Sequence, residues 1–291
     1  MTDFTADDSL GSATQAEIVA YLREIGDTTA ANAMLTGGGS GQGMLGWPNS
    51  AYLGTDAMIG FIEHGSNNIV PAQSVDAEVD LRGKKLKITF DQFHVEEYPG
   101  GGEHRILCEF MGKNQQEGEA EELTFAVTCN ARDRQGASVL SLPIFVGIVA
   151  GANGISFQGR SVNVRSNLDD TILEVLDSDV FKQGLELIDK VQPAIKPLAN
   201  LASGVVKMAA KRSNNRQVHH FMLGLDFVGS PTSARLRRGS YIVLQIGRTV
   251  GWDWSNYIWD TNTSKLVTAS RSVAAPKWNY MVFGVSQYEE T

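Results

Sequence analysis

Two hydrophobic periods divide this chain. Near the N-terminus the apolar residues Ile18, Tyr21, Leu22 and Ile25 fall on one helical face, and Gly26 supplies a stop. Just ahead, Thr14-Gln15-Ala16-Glu17 has the spacing of a capping box, in which the Thr hydroxyl and the Glu carboxylate each satisfy a free N–H. Asp27 is placed to cap a second short helix through Leu35, before the Gly-rich run Gly37-Gly38-Gly39-Ser40-Gly41. From about residue 75 the period falls to two. Leu86, Ile88 and Phe90 alternate with Lys85, Lys87 and Thr89, and the same alternation runs through Ile106, Cys108, Phe110 and through Leu123, Phe125, Val127, Cys129. That pattern predicts half-buried antiparallel strands, apolar inward.

Val139 to Val149 is apolar on both faces and predicts a central, doubly covered strand, with Asn153-Gly154 turning it back as a hairpin into Ile155–Val164. Residues 169–211 return to helical spacing. Ile172, Leu173, Leu176, Val180, Phe181, Leu185 and Ile188 form one face, Pro193 and Pro197 break it, and a second amphipathic segment runs from Leu198 to Lys211. Strands resume at 218–228, 240–247, 252–260, 265–270 and 278–287. The expected fold is α+β: an antiparallel β-sandwich of about ten strands with a helical-hairpin insertion at 169–211 and a short helical N-terminal module. The expected organisation is an acidic helical module with a Gly-rich tether over 1–46 and a sandwich domain over 47–291.

Length and composition narrow the classes. The chain has 291 residues, 42% apolar and 20% charged, which suits a globular protein with a real core rather than a disordered or fibrous one. The acidic start Met1-Thr2-Asp3-Phe4 lacks the basic-then-apolar order of a signal peptide, so a cytoplasmic protein is expected. Cys108 and Cys129 are too few for a disulfide scaffold; pairing Phe110 with Val127 would set them opposite each other as buried thiols or a redox-sensitive pair. The sequon Asn262-Thr263-Ser264 reads as a hairpin turn.

Local catalytic signatures are missing. Gly41-Gln42-Gly43-Met44-Leu45-Gly46 matches G-x-G-x-x-G in letters, but a helix precedes it and Trp47-Pro48 follows, so it does not open the helix that a dinucleotide needs. The neighbours His219 and His220 lie in a predicted strand and point to opposite faces, so they do not chelate one metal together. There is no H-E-x-x-H, C-x-x-C, EF-hand loop or G-x-S-x-G. The expectation is a non-enzymatic protein with no metal and no cofactor. Trp252-Asp253-Trp254-Ser255-Asn256-Tyr257-Ile258-Trp259 is the most distinctive segment, and Trp252, Trp254 and Trp259 are candidates to meet a sugar ring or a membrane interface.

Charge is more informative. Residues 1–80 carry eleven acids against Arg23 alone, while residues 180–248 carry eleven bases against three acids. The overall charge of −8 argues against a nucleic-acid partner. Either the acids fold back on the bases of their own chain, or opposite poles are left for another molecule. The second arrangement makes a binding and self-assembly protein, a homo-oligomer or the ligand of another protein. Its basic surface would comprise Lys207, Lys211, Arg212, Arg216, Arg235, Arg237 and Arg238. One alternative is a membrane-active effector that meets anionic lipid through Leu198–Lys211 and the uncharged 135–159 hairpin. Another is a sandwich that binds glycans or Ca²⁺.

Overall fold

The computed structural model describes residues 5–36, 50–114, 121–137, 139–165, 215–229, 232–248, 250–270 and 273–289. It is an α+β protein built on two antiparallel sheets with a small helical part. Two helices come first, α1 (Gln15–Glu24) and α2 (Thr28–Thr36). The strands follow as β1 (Asp56–Ile62), β2 (Ile69–Pro71), β3 (Lys85–Val95), β4 (Glu103–Asn114) and β5 (Glu121–Arg132). Next are β6 (Gln135–Gly136), β7 (Leu142–Val149), β8 (Gly154–Val164), β9 (Arg216–Asp226) and β10 (Ala234–Arg235). The last four are β11 (Gly239–Ile246), β12 (Tyr257–Asp260), β13 (Lys265–Thr268) and β14 (Tyr280–Gln287).

The larger sheet runs β2-β1-β11-β14-β3, and the far side of β3 pairs with β6 at one end and β7 along the other. The smaller sheet runs β10-β9-β8-β4-β5, antiparallel except for the short β10. The strand nearest the C-terminus therefore lies in the middle of the larger sheet, closing it across the whole chain. Between the sheets, Phe283 of β14 meets Phe90, Phe110, Phe157 and Phe221, one each from β3, β4, β8 and β9, at centroid distances of 5.4, 5.4, 5.3 and 5.5 Å. Each such ring contributes roughly 1.5–3 kcal/mol on burial. Gly159 permits this closeness, since a Cβ there would lie 2.3 Å from the Phe221 ring.

The N-terminal helices belong to the same interior. Ile18 and Leu22 are fully buried in the core that holds the phenylalanines. The capping box forms as expected, with Glu17 N–H donating to the Thr14 hydroxyl and Thr14 N–H donating to the Glu17 carboxylate at 2.8 Å. Asp27 caps α2 by accepting from Ala30 N–H at 3.1 Å. Asn163 of β8 donates to the Tyr21 hydroxyl at 2.9 Å, and Gln217 of β9 donates to Ser9 at 2.7 Å. The first helices are thus bonded into the sandwich by buried polar side chains.

A second apolar cluster lies on the opposite face of the larger sheet. There Ile62, Ile242, Leu244, Ile246 and Val282 are covered by Trp254, Leu266 and Trp278, with the β12–β13 hairpin as lid. Among the described residues this third layer leaves part of that outer face uncovered.

Several details differ from the sequence pattern. β7 pairs with β3 in one sheet, whereas β8 pairs with β4 and β9 in the other, so the turn at Asn153-Gly154 joins two sheets and is no hairpin. Gly154, at φ 127°, lies so close to Leu225 that a Cβ would sit 2.0 Å from its carbonyl oxygen. Residues 139–141 are a loop, because Ser141 takes φ 45° and turns the chain before β7 begins. Residues 252–256 are not strand either; a short turn at Trp254–Asn256 precedes β12. The β4–β5 register pairs Phe110 with Phe125, which places Val127 opposite Cys108 and Ile106 opposite Cys129. The thiols are diagonal neighbours, Sγ to Sγ 4.0 Å, both free and buried. The expected helical insertion at 169–211 lies outside the described residues.

Candidate functional site

Of the seven basic candidates, Lys207, Lys211 and Arg212 lie outside the described residues. Arg216 is exposed at the start of β9 and Arg235 is half-buried on β10. Arg237 and Arg238 are occupied by acids from the first eighty residues of their own chain. The Arg237 guanidinium lies 2.5 Å from Glu63 and 3.7 Å from Glu78, and Arg238 lies 2.7 Å from Glu78 and 3.5 Å from Asp80. Arg248 likewise faces Asp56 at 3.7 Å. The arginine loop is fixed from beneath by Tyr241, whose buried hydroxyl accepts from Arg237 N–H at 2.9 Å and donates to Arg235 C=O at 2.7 Å. Around Arg237 and Arg238 the two poles cancel within one copy.

A different charge pair is buried. Glu109 of β4 and Arg160 of β8 stand directly opposite in register, 1% and 3% exposed, and form an ion pair. Both occupy polar positions of the period-two pattern, so their facing was readable only once the register was known. Both charges are desolvated and face each other, which makes the pair structural.

The uncovered part of the larger sheet's outer face is a cleft of about 400 Å³. Its floor is Asp91 and Gln92 of β3, Ser240 of β11 and Val282 of β14. One wall is the loop Glu63-His64-Gly65-Ser66, another is Trp259 and Ser264 of the β12–β13 hairpin, and a third is the loop of Val139, Leu140 and Ser141. The first two walls are tied to each other. Trp259 N–H donates to Asn67 C=O at 2.8 Å, and Asn68 bridges Ile258. At the lip, Leu140 is 87% exposed.

The floor owes its chemistry to a β-bulge. Against β14, Gln92 pairs with Val282 and Phe90 with Phe283, so Asp91 is the extra residue. A bulge of this kind re-aims side chains. Phe90 and Phe93 both stay in the core, while Asp91 and Gln92 both reach the cleft. Burial raises the Asp91 carboxyl above its usual range, with hydrogen bonds from the Thr89 and Ser141 side chains pulling the other way. Gly284 leaves room for it, since a Cβ would lie 2.5 Å from the Thr89 hydroxyl and 2.7 Å from the Asp91 carboxylate. The doublet Asp91-Gln92 between two phenylalanines is a visible break in the alternation, and beside the Trp259 candidate it is a signal by which the sequence marks this site.

Comparison with family models, curated proteins and solved structures found no match for this chain.

Only one of the three aromatic candidates reaches the cleft. Trp254 is buried against Gly60, where a Cβ would sit 2.9 Å from the indole, and Trp252 lies parallel to Tyr257 at 4.2 Å. Trp259 is half-buried and lines the wall. Its other neighbour is Tyr280, edge to face at 6.5 Å, which in turn stacks on His94 at 4.8 Å. Burial lowers the His94 pKa against the opposing pull of Glu96.

His104 and His219 have structural surroundings. His104 bonds Asp133 at 2.8 Å. His219 points into the core, edge-on to Phe93 at 5.5 Å, and burial takes its pKa down to about 3; its neighbour His220 points outward. Among the described residues no group of three or more His, Cys, Asp or Glu could hold a metal ion. No helix of the described residues is long and apolar enough to cross a membrane. Phe145, Ile148 and Phe157, from the segment that was a candidate for lipid insertion, lie in the core between the sheets.

Proposed function

We propose that this chain is a non-enzymatic binding protein and that its recognition site is the cleft on the outer face of the larger sheet. The observation that carries this reading is convergence. A tryptophan, a side-chain amide, a half-buried carboxyl and serine hydroxyls from separate segments meet in one concavity of about 400 Å³. Small-molecule sites are commonly concavities of roughly 300–1,000 Å³ with a few converging polar groups. The sandwich supplies a rigid floor, and the walls are pinned by backbone hydrogen bonds, so little ordering is required on binding.

Recognition through opposite charge poles has less support. Arg237 and Arg238 are half of the four described basic candidates, and both already face Glu63, Glu78 or Asp80.

The test is a small-molecule screen by amide chemical-shift mapping on the full chain, with neutral, anionic and cationic ligands at matched ionic strength. Perturbations should cluster on Gln92, Ser240, His64 and Trp259. Ligands that shift residues only outside the cleft, or no ligand in any class, overturn the assignment.

A further inference from the structure

We infer that the ligand of this cleft is a neutral, hydroxyl-rich ring: a mono- or disaccharide. The inference rests on the cleft being the binding site and goes on to name what fills it.

Charge removes two of the three broad classes. Among the described residues lining the cleft none is Lys or Arg, so nothing there balances a phosphate, sulfate or carboxylate. A cation would need a free carboxylate, and neither acid of the cleft offers one. Glu63 lies 2.5 Å from the Arg237 guanidinium. Asp91 is half-buried on the floor, with the Thr89 and Ser141 hydroxyls already on its carboxylate.

What is left suits hydroxyl groups. The Gln92 amide both donates and accepts, the Ser240 and Ser264 hydroxyls do the same, and His64 adds ring nitrogens. Sugar hydroxyls have that same double character. A pyranose also has an apolar face of C–H bonds, which packs against an aromatic side chain, and Trp259 stands in the wall for that purpose. Leu140, 87% exposed at the lip, provides a further apolar edge. Of the tryptophan cluster, Trp252 and Trp254 pack in the third layer, and Trp259, also packed against that layer, is the one that lines the cleft.

The experiment is isothermal titration calorimetry with saturation-transfer NMR on the full chain. The probes are glucose, galactose, mannose, N-acetylglucosamine, maltose, cellobiose and lactose, with glucose 6-phosphate and choline as charged comparators. At least one neutral sugar should bind. Trp259→Ala should weaken that sugar by about tenfold or more, and Gln92→Leu should weaken it with a melting curve like that of the parent. Leu140→Asp, at an exposed position, folds normally and should weaken binding too. If glucose 6-phosphate or choline binds in the cleft and every neutral sugar fails, the saccharide inference is wrong and the binding site stands. A sugar that binds equally to all three variants sits elsewhere, which also overturns the inference. Silence from every probe in all three charge classes removes both the inference and the site.

Discussion

His219 gives the sharpest physical prediction. Its ring is 2% exposed in the core, edge-on to Phe93, and its Nε2 has no hydrogen-bond partner among the described residues. Burial takes the pKa from 6.5 down to about 3. The unfolded chain therefore takes up a proton near pH 6.5 that the folded chain refuses until about pH 3. The stability tied to this refusal is fully present above 6.5 and is lost as the pH falls. One pKa unit is about 1.4 kcal/mol, so the loss reaches about 3 kcal/mol at pH 4.5 and about 4 kcal/mol at pH 3, approaching about 5 kcal/mol only below that. That is a large share of a typical total of roughly 5–15 kcal/mol. The assay is urea denaturation at pH 7.5 and 4.5 for the parent chain and for His219→Leu. His94 and His220, whose pKa values are also lowered, and Asp91 and Glu97, whose values are raised, are present in both chains and cancel in the difference. The parent should lose about 3 kcal/mol more than the variant between the two pH values. An identical loss in both would show that the His219 ring is charged in the fold, or reaches water, and would refute the reasoning.

Two further outcomes follow from the cleft and from the arginine loop. Gly284→Ala drives a methyl group against the Thr89 hydroxyl and the Asp91 carboxylate, and should cost about 1–3 kcal/mol in thermal or chemical denaturation together with ligand response; an unchanged melt and unchanged binding would show that the bulge can shift freely. Reversing Arg237 and Arg238 to Glu sets new carboxylates against Glu63, Glu78 and Asp80. Exposed pairs are worth about 1 kcal/mol or less each, so stability should fall by about 1–2 kcal/mol. Sedimentation mass should be the same at low and high salt, and a fall in assembly without any fall in stability would restore the charge-pole reading.

The alternation of residues told which side of each strand faces inward, and it was right for Ile88, Phe110, Phe125 and Cys129. It could not tell which strand lies alongside. Cys108 was placed opposite Cys129 by a pairing two residues out of step, because a shift of two leaves every side chain on its own face and the pattern unchanged. For the same reason the segment around Asn153-Gly154 looked like a hairpin: the turn is real, with Gly151 and Gly154 exchanging hydrogen bonds, but the two strands leave it for different sheets. The aromatic segment was visible as a cluster, yet only packing decided that Trp254 fills the third layer and Trp259 faces the cleft.

What the chain determined alone was local. The capping box at Thr14, the Asp27 cap, the two periods and the polarity of each face depend on neighbours a few residues away, where chain connectivity already enforces contact. What the tertiary structure decided was every relation across a large sequence separation. Asp91 and Gln92 meet Ser240 and Trp259, and Glu63 meets Arg237, across some 150 or more positions. Many partners satisfy such a side chain equally well in one dimension. Only the close packing of the two sheets around Phe283, with a bulge to absorb the misfit, selects one of them.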